Sequence, residues 1–486
     1  MKTKSSNLIY LLLLFYLFGC EESYDSGSYP NSYSGTIEVA SGENYQALEE
    51  NPFIHVTEQP VSTFSIDADG GSYTNMRRFA NLGQKPPKYS VRIEEYLNYF
   101  TFDYPEPESD ENVSVESEIS TCPWKDDHYL IRIGLKGTTI PEEELPNSNY
   151  VFLIDVSGSM ASADKLELLK NGFARMTDQL RPTDKVAIVT YSGYERVVLN
   201  STYAEDKTKI KSAISLLSAG GSTAGAQGIQ KAYEIAQENF IPNGNNRVIM
   251  GTDGDFNVGI SDTEQLKAFI EEKSESGIYF TVLGVGTGNL NDHMMEQIAN
   301  HGNGNYEYID NAGQIEKVFV FEQSKFYTVA KDCKVKVNFN SDLVDSYRLI
   351  GYENRLISEN AFNNDSTDAG EIGSAQTITG LYEVVLKEQS SADDYIRIDV
   401  RYKKPNETES RLLKKKLIMM PANIYSASEN MRFAASVVAY GLIMRESEYR
   451  GEASKQSVRE LCEKSLKFDP NGYRQEFLDL ITNLNF

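Results

Sequence analysis

The pattern of hydrophobic and polar positions changes three times along the chain, and these changes divide it into regions. Residues 60–148 contain short segments with a period of two, which predicts strands, and two segments with helical spacing. In residues 149–330, continuous apolar runs alternate with helical stripes, as in a parallel sheet covered by helices on both faces. The period of two returns in residues 331–420, and three helical patterns follow in residues 421–486.

The central region is predicted to form a doubly wound, Rossmann-like α/β unit. Its predicted strands are Val151–Ile154, Lys185–Tyr191, a short antiparallel edge strand at Glu195–Leu199, Arg247–Thr252, Ile278–Val285 and Asn305–Ile309. Its predicted helices are Leu166–Leu180, Ile210–Leu217, Gly225–Phe240, Thr263–Ser276, Asn291–Asn300 and a last helix, Asn311–Val329.

Strand patterns occur on both sides of this unit. Those before it are Ser62–Asp67, Val113–Ile119 and His128–Lys136, and those after it are Lys334–Phe339, Tyr347–Gly351, Thr377–Lys387, Tyr395–Tyr402 and Leu412–Met419. We expect these strands to pair into one β-sandwich into which the α/β unit is inserted. The helical patterns of the C-terminal region, at Ser428–Arg445, Ser454–Phe468 and Tyr473–Leu484, look amphipathic.

The first twenty residues have the pattern of an export signal. Lys2 and Lys4 precede the apolar segment Leu8–Phe18, which is too short to span a bilayer. The following Leu17-Phe18-Gly19-Cys20 resembles the bacterial lipobox, which implies cleavage before Cys20 and lipid attachment at that residue. The prediction is a lipid-anchored protein of the bacterial cell envelope, at the outer membrane, with the leaflet left open. A plain secretory signal with a chance cysteine is the alternative.

Residues 21–59 are rich in Ser, Tyr, Gly, Asn and Glu and show no periodicity, which predicts a flexible tether.

The chain carries 47 Lys and Arg residues against 71 Asp and Glu residues, a net charge of −24. Such a charge repels phosphate backbones, so nucleic acid is excluded as a partner. The 4 His and 4 Cys residues lack the spacing of a zinc or iron–sulfur site.

Three cysteines remain after the predicted cleavage: Cys122, Cys333 and Cys462. Cys122 and Cys333 flank the α/β unit and could form a disulfide in an oxidising compartment. Independent buried cysteines are the alternative.

Oxygen-bearing side chains follow two predicted strands of the α/β unit and also occupy a glycine-rich loop between them. Asp155, Ser157 and Ser159 follow the first strand, residues 219–225 form the loop Ala-Gly-Gly-Ser-Thr-Ala-Gly, and Asp253 follows the strand that ends at Thr252. Because ligands bind beyond the carboxyl ends of strands in doubly wound sheets, we expect these side chains to meet there.

These three segments resemble the metal-ion-dependent adhesion site of the von Willebrand factor type A (VWA) family, over about Asn149–Val329. The resemblance implies that Asp155, Ser157, Ser159, Thr223 and Asp253 surround a divalent cation. Ser222 precedes Thr223, and either hydroxyl could occupy that position. Further segments resemble the flanking regions of a bacterial VWA lipoprotein subfamily: Phe64–Asp67, Val91–Phe100, Cys122–Trp124, Tyr347–Arg355 and Asp368–Gly373.

The ligand set favours Mg²⁺, which prefers oxygen donors and usually takes only one or two carboxylates. Mn²⁺ could replace it, whereas Ca²⁺ prefers more oxygens at longer distances. In the resembled family, an open position on the cation binds an Asp or Glu carboxylate of a protein ligand. The predicted function is therefore adhesion or scaffolding, with no catalytic residue.

Two other functions are alternatives to adhesion. A metal-dependent hydrolase would need a general base, for which Asp255 is the available acid, and a structural scaffold would retain a vestigial site.

The segment Ser162–Lys165 matches the Ser-x-x-Lys of penicillin-binding proteins, but its companion motifs are missing, so it is interpreted as a solvated helix start. An EF-hand beginning at Asp253 is disfavoured because Val258 stands where that loop needs glycine.

Overall fold

Strands and helices alternate in the middle of the chain and give way to antiparallel strands on either side. The computed structural model describes residues 36–38, 42–47, 49–221, 225–254, 263–288, 290–387 and 394–483. Its strands are β1 (Thr36–Glu38), β2 (Asn44–Gln46), β3 (Ile54–His55), β4 (Val61–Ser65), β5 (Val113–Thr121), β6 (His128–Gly137), β7 (Ser148–Asp155), β8 (Lys185–Ser192), β9 (Tyr194–Tyr203), β10 (Asn245–Thr252), β11 (Ile278–Val285), β12 (Tyr306–Ile309), β13 (Thr328–Asn338), β14 (Val344–Ile350), β15 (Ile372–Gly373), β16 (Thr377–Leu386), β17 (Tyr395–Lys403) and β18 (Arg411–Ile418). Its α-helices are α1 (Gly71–Asn81), α2 (Ile93–Asn98), α3 (Leu166–Gln179), α4 (Lys207–Ser215), α5 (Gly225–Glu238), α6 (Thr263–Glu275), α7 (Asp292–His301), α8 (Ala312–Glu316), α9 (Glu359–Asn363), α10 (Glu429–Arg445), α11 (Lys455–Glu463) and α12 (Tyr473–Asn483).

The central sheet has six strands in the order β12-β11-β10-β7-β8-β9. All pair in parallel except β9, which runs antiparallel to β8 at the edge. Alternate residues of β7 enter two separate cores, because Phe152 packs with α3 on one face and Leu153 with α5 on the other. This explains the unbroken apolar run in the sequence and confirms the predicted doubly wound fold.

The strands on either side of the α/β unit form two five-stranded antiparallel sheets. In one sheet β13 pairs with both β4 and β17, and in the other β16 pairs with both β6 and β14. Each sheet therefore combines strands that precede the α/β unit with strands that follow it. Phe64, Val335 and Tyr382 belong to one apolar core formed by both sheets, so the predicted discontinuous sandwich is confirmed.

Helices α10, α11 and α12 share a fourth core with α1 and α2. The prediction of an amphipathic helix is wrong for α10, where almost every residue between Asn430 and Arg445 is buried. The reason is that α10 packs between α2 and α11 and is left with almost no solvated face.

The predicted last helix of the α/β unit, Asn311–Val329, is also wrong. Helix α8 covers only Ala312–Glu316, a π-helical turn follows at Lys317–Phe321, a 3₁₀ turn follows at Gln323–Phe326, and β13 then begins at Thr328. Lys317 and Lys325 are buried in this segment and form ion pairs with Glu322. The helix widens and then ends in the segment that holds these polar contacts, although the apolar residues keep helical spacing.

The predicted tether, residues 21–59, extends too far along the chain. Glu43 and Tyr45 are buried, and the Glu43 carboxylate accepts from Arg78 at 2.8 Å. Strand β3 pairs with β14 at the edge of the sandwich. The composition of this segment is misleading because its buried groups are themselves polar.

The predicted signal segment and Cys20 lie outside the described residues, and among those that are described no helix combines the length and apolar character that crossing a bilayer requires.

The suggested disulfide between Cys122 and Cys333 is not formed. Both residues, and Cys462, are buried free cysteines. Cys122 lies in the core of the C-terminal helices and Cys333 in the sandwich core, so each thiol fills a separate apolar space. Burial raises the pKa of all three thiols, which makes them poor nucleophiles.

Candidate metal centre

Two acidic residues leave the central sheet side by side. Strand β7 ends at Asp155, and Asp253 follows directly after β10. The two strands are neighbours, with Ile154 opposite Gly251, so their ends lie at the same edge. Strand order reverses here, since the chain continues from β7 to β8 on one side and reaches β10 on the other. Both acids, at 0% exposure, therefore lie at the point where doubly wound sheets bind ligands.

The loop after Asp155 turns its hydroxyls towards one another. The backbone N–H of Ser157 donates to Oδ1 of Asp155 at 2.8 Å, and Oγ of Ser157 lies 3.0 Å from Oγ of Ser159. The backbone N–H of Gly158 donates to the carbonyl oxygen of Gly221 at 3.0 Å, which joins this loop to the glycine-rich loop. The structure thus brings Asp155, Ser157 and Ser159 together as predicted.

The second loop is held close by two further hydrogen bonds. The backbone N–H of Gly220 donates to the carbonyl oxygen of Val156 at 2.7 Å, and the Ser192 hydroxyl donates to the carbonyl oxygen of Gly220. Gly221 has a φ of +93°, which favours glycine, and a Cβ there would lie 2.4 Å from Oγ of Ser192. Ser222 and Thr223 lie outside the described residues, so the choice between them stays a prediction.

Neighbouring groups orient the Asp155 carboxylate. The Thr252 hydroxyl donates to Oδ2 of Asp155 at 3.2 Å and itself accepts from the backbone N–H of Gly254 at 3.0 Å. Burial raises the pKa of Asp155 to about 6, with a smaller contribution from the charge of Asp253, while hydrogen bonds from Ser157 oppose the rise. Two buried carboxylates in proximity create a demand for positive charge.

Part of that demand is met by Lys165, a residue that the sequence analysis misjudged. Its Nζ lies 3.0 Å from Oδ2 of Asp253, and only 7% of the residue is exposed. The interpretation of Ser162–Lys165 as a solvated helix start is correct for the first three residues but wrong for Lys165. The side chain packs over Gly286, where a Cβ would lie 2.2 Å from Cε of the lysine. The burial of Lys165 is indicated only by its place in the sequence, because it directly precedes Leu166, the first residue of the buried stripe of α3.

The donor atoms at this edge suit a small hard cation. The oxygens of Asp155, Ser157, Ser159 and Asp253 are carboxylates and hydroxyls, the donor types that Mg²⁺ prefers. Lys165 offsets the negative charge of Asp253, so a cation at this edge would share that carboxylate with the lysine. Asp255, the general base that a hydrolase would need, lies outside the described residues.

Family models match three consecutive parts of the chain. The model of the von Willebrand factor type A domain matches residues 149–320, a model described as von Willebrand factor matches residues 39–132, and a model described as the C-terminal part of the uncharacterized protein YfbK matches residues 324–485. Over 463 residues the chain is 39% identical to the uncharacterized protein YfbK of Escherichia coli K12, covering 90% of this chain and 80% of that protein. The chain belongs to the YfbK family of VWA-domain proteins.

More distant similarities cover less of the chain or lie at lower identity. The human inter-alpha-trypsin inhibitor heavy chain H3 is 27% identical over 270 residues, which is 51% of this chain and 30% of that protein. A solved von Willebrand factor type A structure from Catenulispora acidiphila has 15% identity and a TM-score of 0.43, covering 79% of this chain and 91% of that one. VWA domains often bind divalent cations and mediate protein binding, and VWA and YfbK proteins are generally not catalytic.

Proposed function

We propose that this protein is a lipid-anchored protein of the cell envelope whose VWA domain holds Mg²⁺ and binds an acidic group of a partner protein. The observation that carries the proposal is the meeting of Asp155, Ser157, Ser159 and Asp253 at the carboxyl edge of the central sheet. An arrangement with only two carboxylates leaves the cation electrophilic, which suits capture of an anionic ligand rather than storage of the metal.

Each residue has a distinct role in this proposal. Asp155 supplies charge, and its orientation is set by the donors Ser157 N–H and Thr252 hydroxyl. The paired hydroxyls of Ser157 and Ser159 supply neutral oxygens, and Thr223 or Ser222 would add another. A bound Mg²⁺ offers one coordination position to an incoming carboxylate, and Mn²⁺ can substitute for it.

Lys165 adjusts the charge that an acidic partner meets. Its ammonium group neutralises one of the two carboxylates at the site, in a chain whose net charge is −24. An approaching Asp or Glu side chain is therefore repelled less at this edge than elsewhere on the surface.

The proposed location rests on the N-terminal segment. Lipid chains at Cys20 would hold the folded body at the outer membrane, since two or more acyl chains give stable anchoring. The strong negative charge of the chain would keep that body away from anionic headgroups.

The test measures cation binding first and capture second. Calorimetric titration with Mg²⁺ compares the wild type with Asp155→Asn, which keeps the side-chain volume, and with Ser162→Ala, an exposed residue near the same loop. We expect one Mg²⁺ to bind to the wild type and to Ser162→Ala, and at least tenfold weaker binding to Asp155→Asn. Equal Mg²⁺ binding by Asp155→Asn and the wild type would contradict the proposed site.

Capture is then tested by crosslinking in native membranes, with Mg²⁺ or with EDTA. A partner protein should be recovered with the wild type in Mg²⁺ and lost both in EDTA and with Asp155→Asn. Replacing one Asp or Glu of that partner should abolish its recovery. A partner retained in EDTA by Asp155→Asn would rule out capture through the cation.

A further inference from the structure

A cavity of about 190 Å³ lies where the sandwich meets the VWA domain. One wall is the segment Ser65–Asp69 after β4, a second comes from Asn300 and Gly304 of the VWA domain, and a third from residues 354–357 and 368–371 of the sandwich. Gly304 precedes β12, whereas Asp155 ends β7, and the strands of this sheet are parallel. The cavity therefore lies at the edge of the sheet opposite the candidate Mg²⁺ site.

Three residues that line this cavity carry buried oxygens to which no described residue donates a hydrogen bond. They are Oδ2 of Asp69, Oδ1 of Asn354 and Oε1 of Glu371. Asp69 is only 2% exposed, and its other carboxylate oxygen accepts from the backbone N–H of Tyr306 at 2.8 Å. The Asn354 amide nitrogen donates to Glu296 at 2.9 Å, which fixes the amide so that its oxygen remains free. Buried acceptors without donors are costly unless a cation satisfies them.

Carboxylates also cluster in this region. Oxygens of Asp332, Asp368 and Glu371 lie within 4.8 Å of one another. Asp332 pairs with Lys403 at 2.6 Å, but in the described parts of the chain neither Asp368 nor Glu371 forms an ion pair. Burial, together with the charges of Asp368 and Asp332, raises the pKa of Glu371, and the charges of Lys331 and Arg247 only partly oppose this rise.

The nearby arginine forms its ion pairs with carboxylates outside this cluster. Arg355 lines the cavity, but its guanidinium pairs with Asp67 at 2.9 Å and with Glu296 at 3.8 Å, and donates to Asn300 at 2.9 Å. In the described parts of the chain, Asp69, Asp368 and Glu371 therefore form no ion pair, and the charge of Arg355 acts on Asp69 and Asp368 only from beyond ion-pair distance.

We propose that Asp332, Asp368 and Glu371 bind a second divalent cation, Ca²⁺, with the free oxygens of Asp69 and Asn354 facing the same cavity. Ca²⁺ lies about 2.3–2.6 Å from each oxygen, so ligands on opposite sides of it are about 5 Å apart, in agreement with the observed cluster. Ca²⁺ also accepts several carboxylates and amide oxygens, whereas Mg²⁺ usually takes one or two carboxylates and keeps water.

The local backbone positions these ligands. Asp332 lies at a β-bulge between Lys331 and Lys334, with φ of +51°, and such bulges redirect a side chain out of the regular ladder. Gly370 stands between Asp368 and Glu371, donates from its backbone N–H to the Ser65 hydroxyl at 3.0 Å and has no space for a Cβ, which would lie 2.4 Å from the carbonyl oxygen of Ile66.

The cation would therefore join two chain segments, the bulge of β13 and the loop before β15, and a third segment, the one after β4, would face it across the cavity. The first two follow the VWA domain in sequence and the third precedes it. This gives a physical role to the segment Asp368–Gly373, which the VWA fold itself does not require.

The test uses the full chain carrying Asp155→Asn and Asp253→Asn, so that the candidate Mg²⁺ site cannot respond. Failure here is thus separate from failure of the proposed function. Calorimetric titration with Ca²⁺ should show one bound ion per chain, and Ca²⁺ should raise the melting temperature. Adding Asp368→Asn and Glu371→Gln should weaken Ca²⁺ binding at least tenfold and abolish the shift. Asp342→Asn, an exposed carboxylate of the same sandwich, should leave both unchanged.

A second readout separates ligation from a merely structural role. Without Ca²⁺, the Asp368→Asn, Glu371→Gln chain should melt at a higher temperature than its parent, because charge repulsion is removed. No Ca²⁺ binding by the parent, or full Ca²⁺ binding after both substitutions, would overturn the proposal. So would a variant that melts below its parent to the same extent with and without Ca²⁺.

Discussion

A single buried ammonium group controls the charge of the candidate Mg²⁺ site. Nζ of Lys165 lies 3.0 Å from Oδ2 of Asp253, inside a region where electrostatic effects are stronger than in water. Lysine and cation thus compete for the negative charge of the same carboxylate.

We predict that Lys165→Met binds Mg²⁺ about tenfold more tightly, corresponding to roughly 1.4 kcal/mol. In EDTA the same variant should melt below the wild type, because Asp253 loses a charged partner. Calorimetric titration and thermal unfolding measure both effects. Lys231→Met, which removes an exposed lysine of the VWA domain, is the control and should change neither. Unchanged or weaker Mg²⁺ binding by Lys165→Met would show that the lysine does not oppose the cation.

Glu94 of α2 makes stability depend on pH. It is completely buried, and neither of its carboxylate oxygens accepts a hydrogen bond from a described residue. Burial, with a contribution from the charge of Glu353, raises the pKa of Glu94 from 4.5 to about 7. Between these two values the folded chain holds a proton that the unfolded chain has released. The free energy of unfolding therefore falls as pH rises from about 4.5 to about 7, and it stays reduced above that range.

We predict that Glu94→Gln is close to the wild type in stability at pH 4.5 and more stable at pH 8, by on the order of 1–3 kcal/mol. Denaturant unfolding at several pH values measures the difference. Glu448→Gln, at an exposed position, should show no such trend. A Glu94→Gln effect of constant size across this pH range would contradict the assigned pKa.

Some of the buried charged residues, including those of the candidate metal centre, could be predicted from sequence patterns and others could not. Asp155 and Asp253 could be predicted because each ends an apolar strand, and the order of such strands places their ends together. Lys165 and Glu94 could not, because the burial of a single charged residue does not change the pattern of hydrophobic and polar positions along the chain. The carboxylate cluster around Asp332 was missed for the same reason, since its members lie on a bulge and an irregular loop.

At the scale of elements, α10 depends on a polar contact at its C-terminal end. Arg445 is 9% exposed and donates to the backbone carbonyl of Val91 at 2.6 Å from Nη2, and its guanidinium also pairs with Glu353. These contacts connect the last turn of α10 to the segment before α2 and to the strand connection after β14.

Arg445→Met should destabilise the chain by about 3–5 kcal/mol, because it leaves the buried Glu353 carboxylate without its partner. Arg459→Met of α11 removes an exposed i,i+4 pair with Glu463 and should cost only about 0.3–0.5 kcal/mol. Denaturant unfolding compares the two variants. Similar small effects at both positions would mean that the buried pair contributes no more than a surface pair.

The elements themselves were predictable to different degrees. The strands of the parallel sheet were found nearly at their observed ends, as with Ile278–Val285, because burial on both faces gives an unbroken apolar run. The segment after α8 was missed because its π-helical turn keeps apolar residues at helical spacing. Helix α10 was found with nearly correct bounds, but its burial on all sides depends on neighbours from distant parts of the chain.

In the molecule as a whole, buried ion pairs connect the VWA domain to the part of the chain that precedes it. Arg77 pairs with Asp310 at 2.6 Å, and Arg92 pairs with Asp292 at 2.5 Å. These partners are 233 and 200 residues apart in the sequence. The insertion also begins and ends at nearly the same place, since the Ser148 hydroxyl lies 3.1 Å from the Tyr327 hydroxyl.

We predict that the full chain unfolds in one calorimetric transition and that the excised segment 147–327 melts at a lower temperature. Excision leaves Asp292 and Asp310 without their arginines, whose pairing in the full chain is almost completely buried. Two separate transitions in the full chain, or an excised segment as stable as the full chain, would show that the two parts are energetically independent.

The discontinuous sandwich was predictable from sequence because strand patterns occur on both sides of the α/β unit. The contact between the VWA domain and the region of α1 and α2 was not, because it includes single charged residues paired over long separations. Pairing of this kind follows from the three-dimensional arrangement and leaves no local pattern along the chain.

We propose that oxygens of three loops surround one cation at the carboxyl edge of the VWA sheet. Anomalous diffraction from crystals of the full chain soaked in Mn²⁺ tests it most directly, since Mn²⁺ replaces Mg²⁺ and its position is visible. We expect an anomalous peak about 2–2.3 Å from oxygens of Asp155, Ser157 and Ser159, absent in Asp155→Asn crystals. Mn²⁺ bound elsewhere, with Nζ of Lys165 still paired with Asp253, would contradict it.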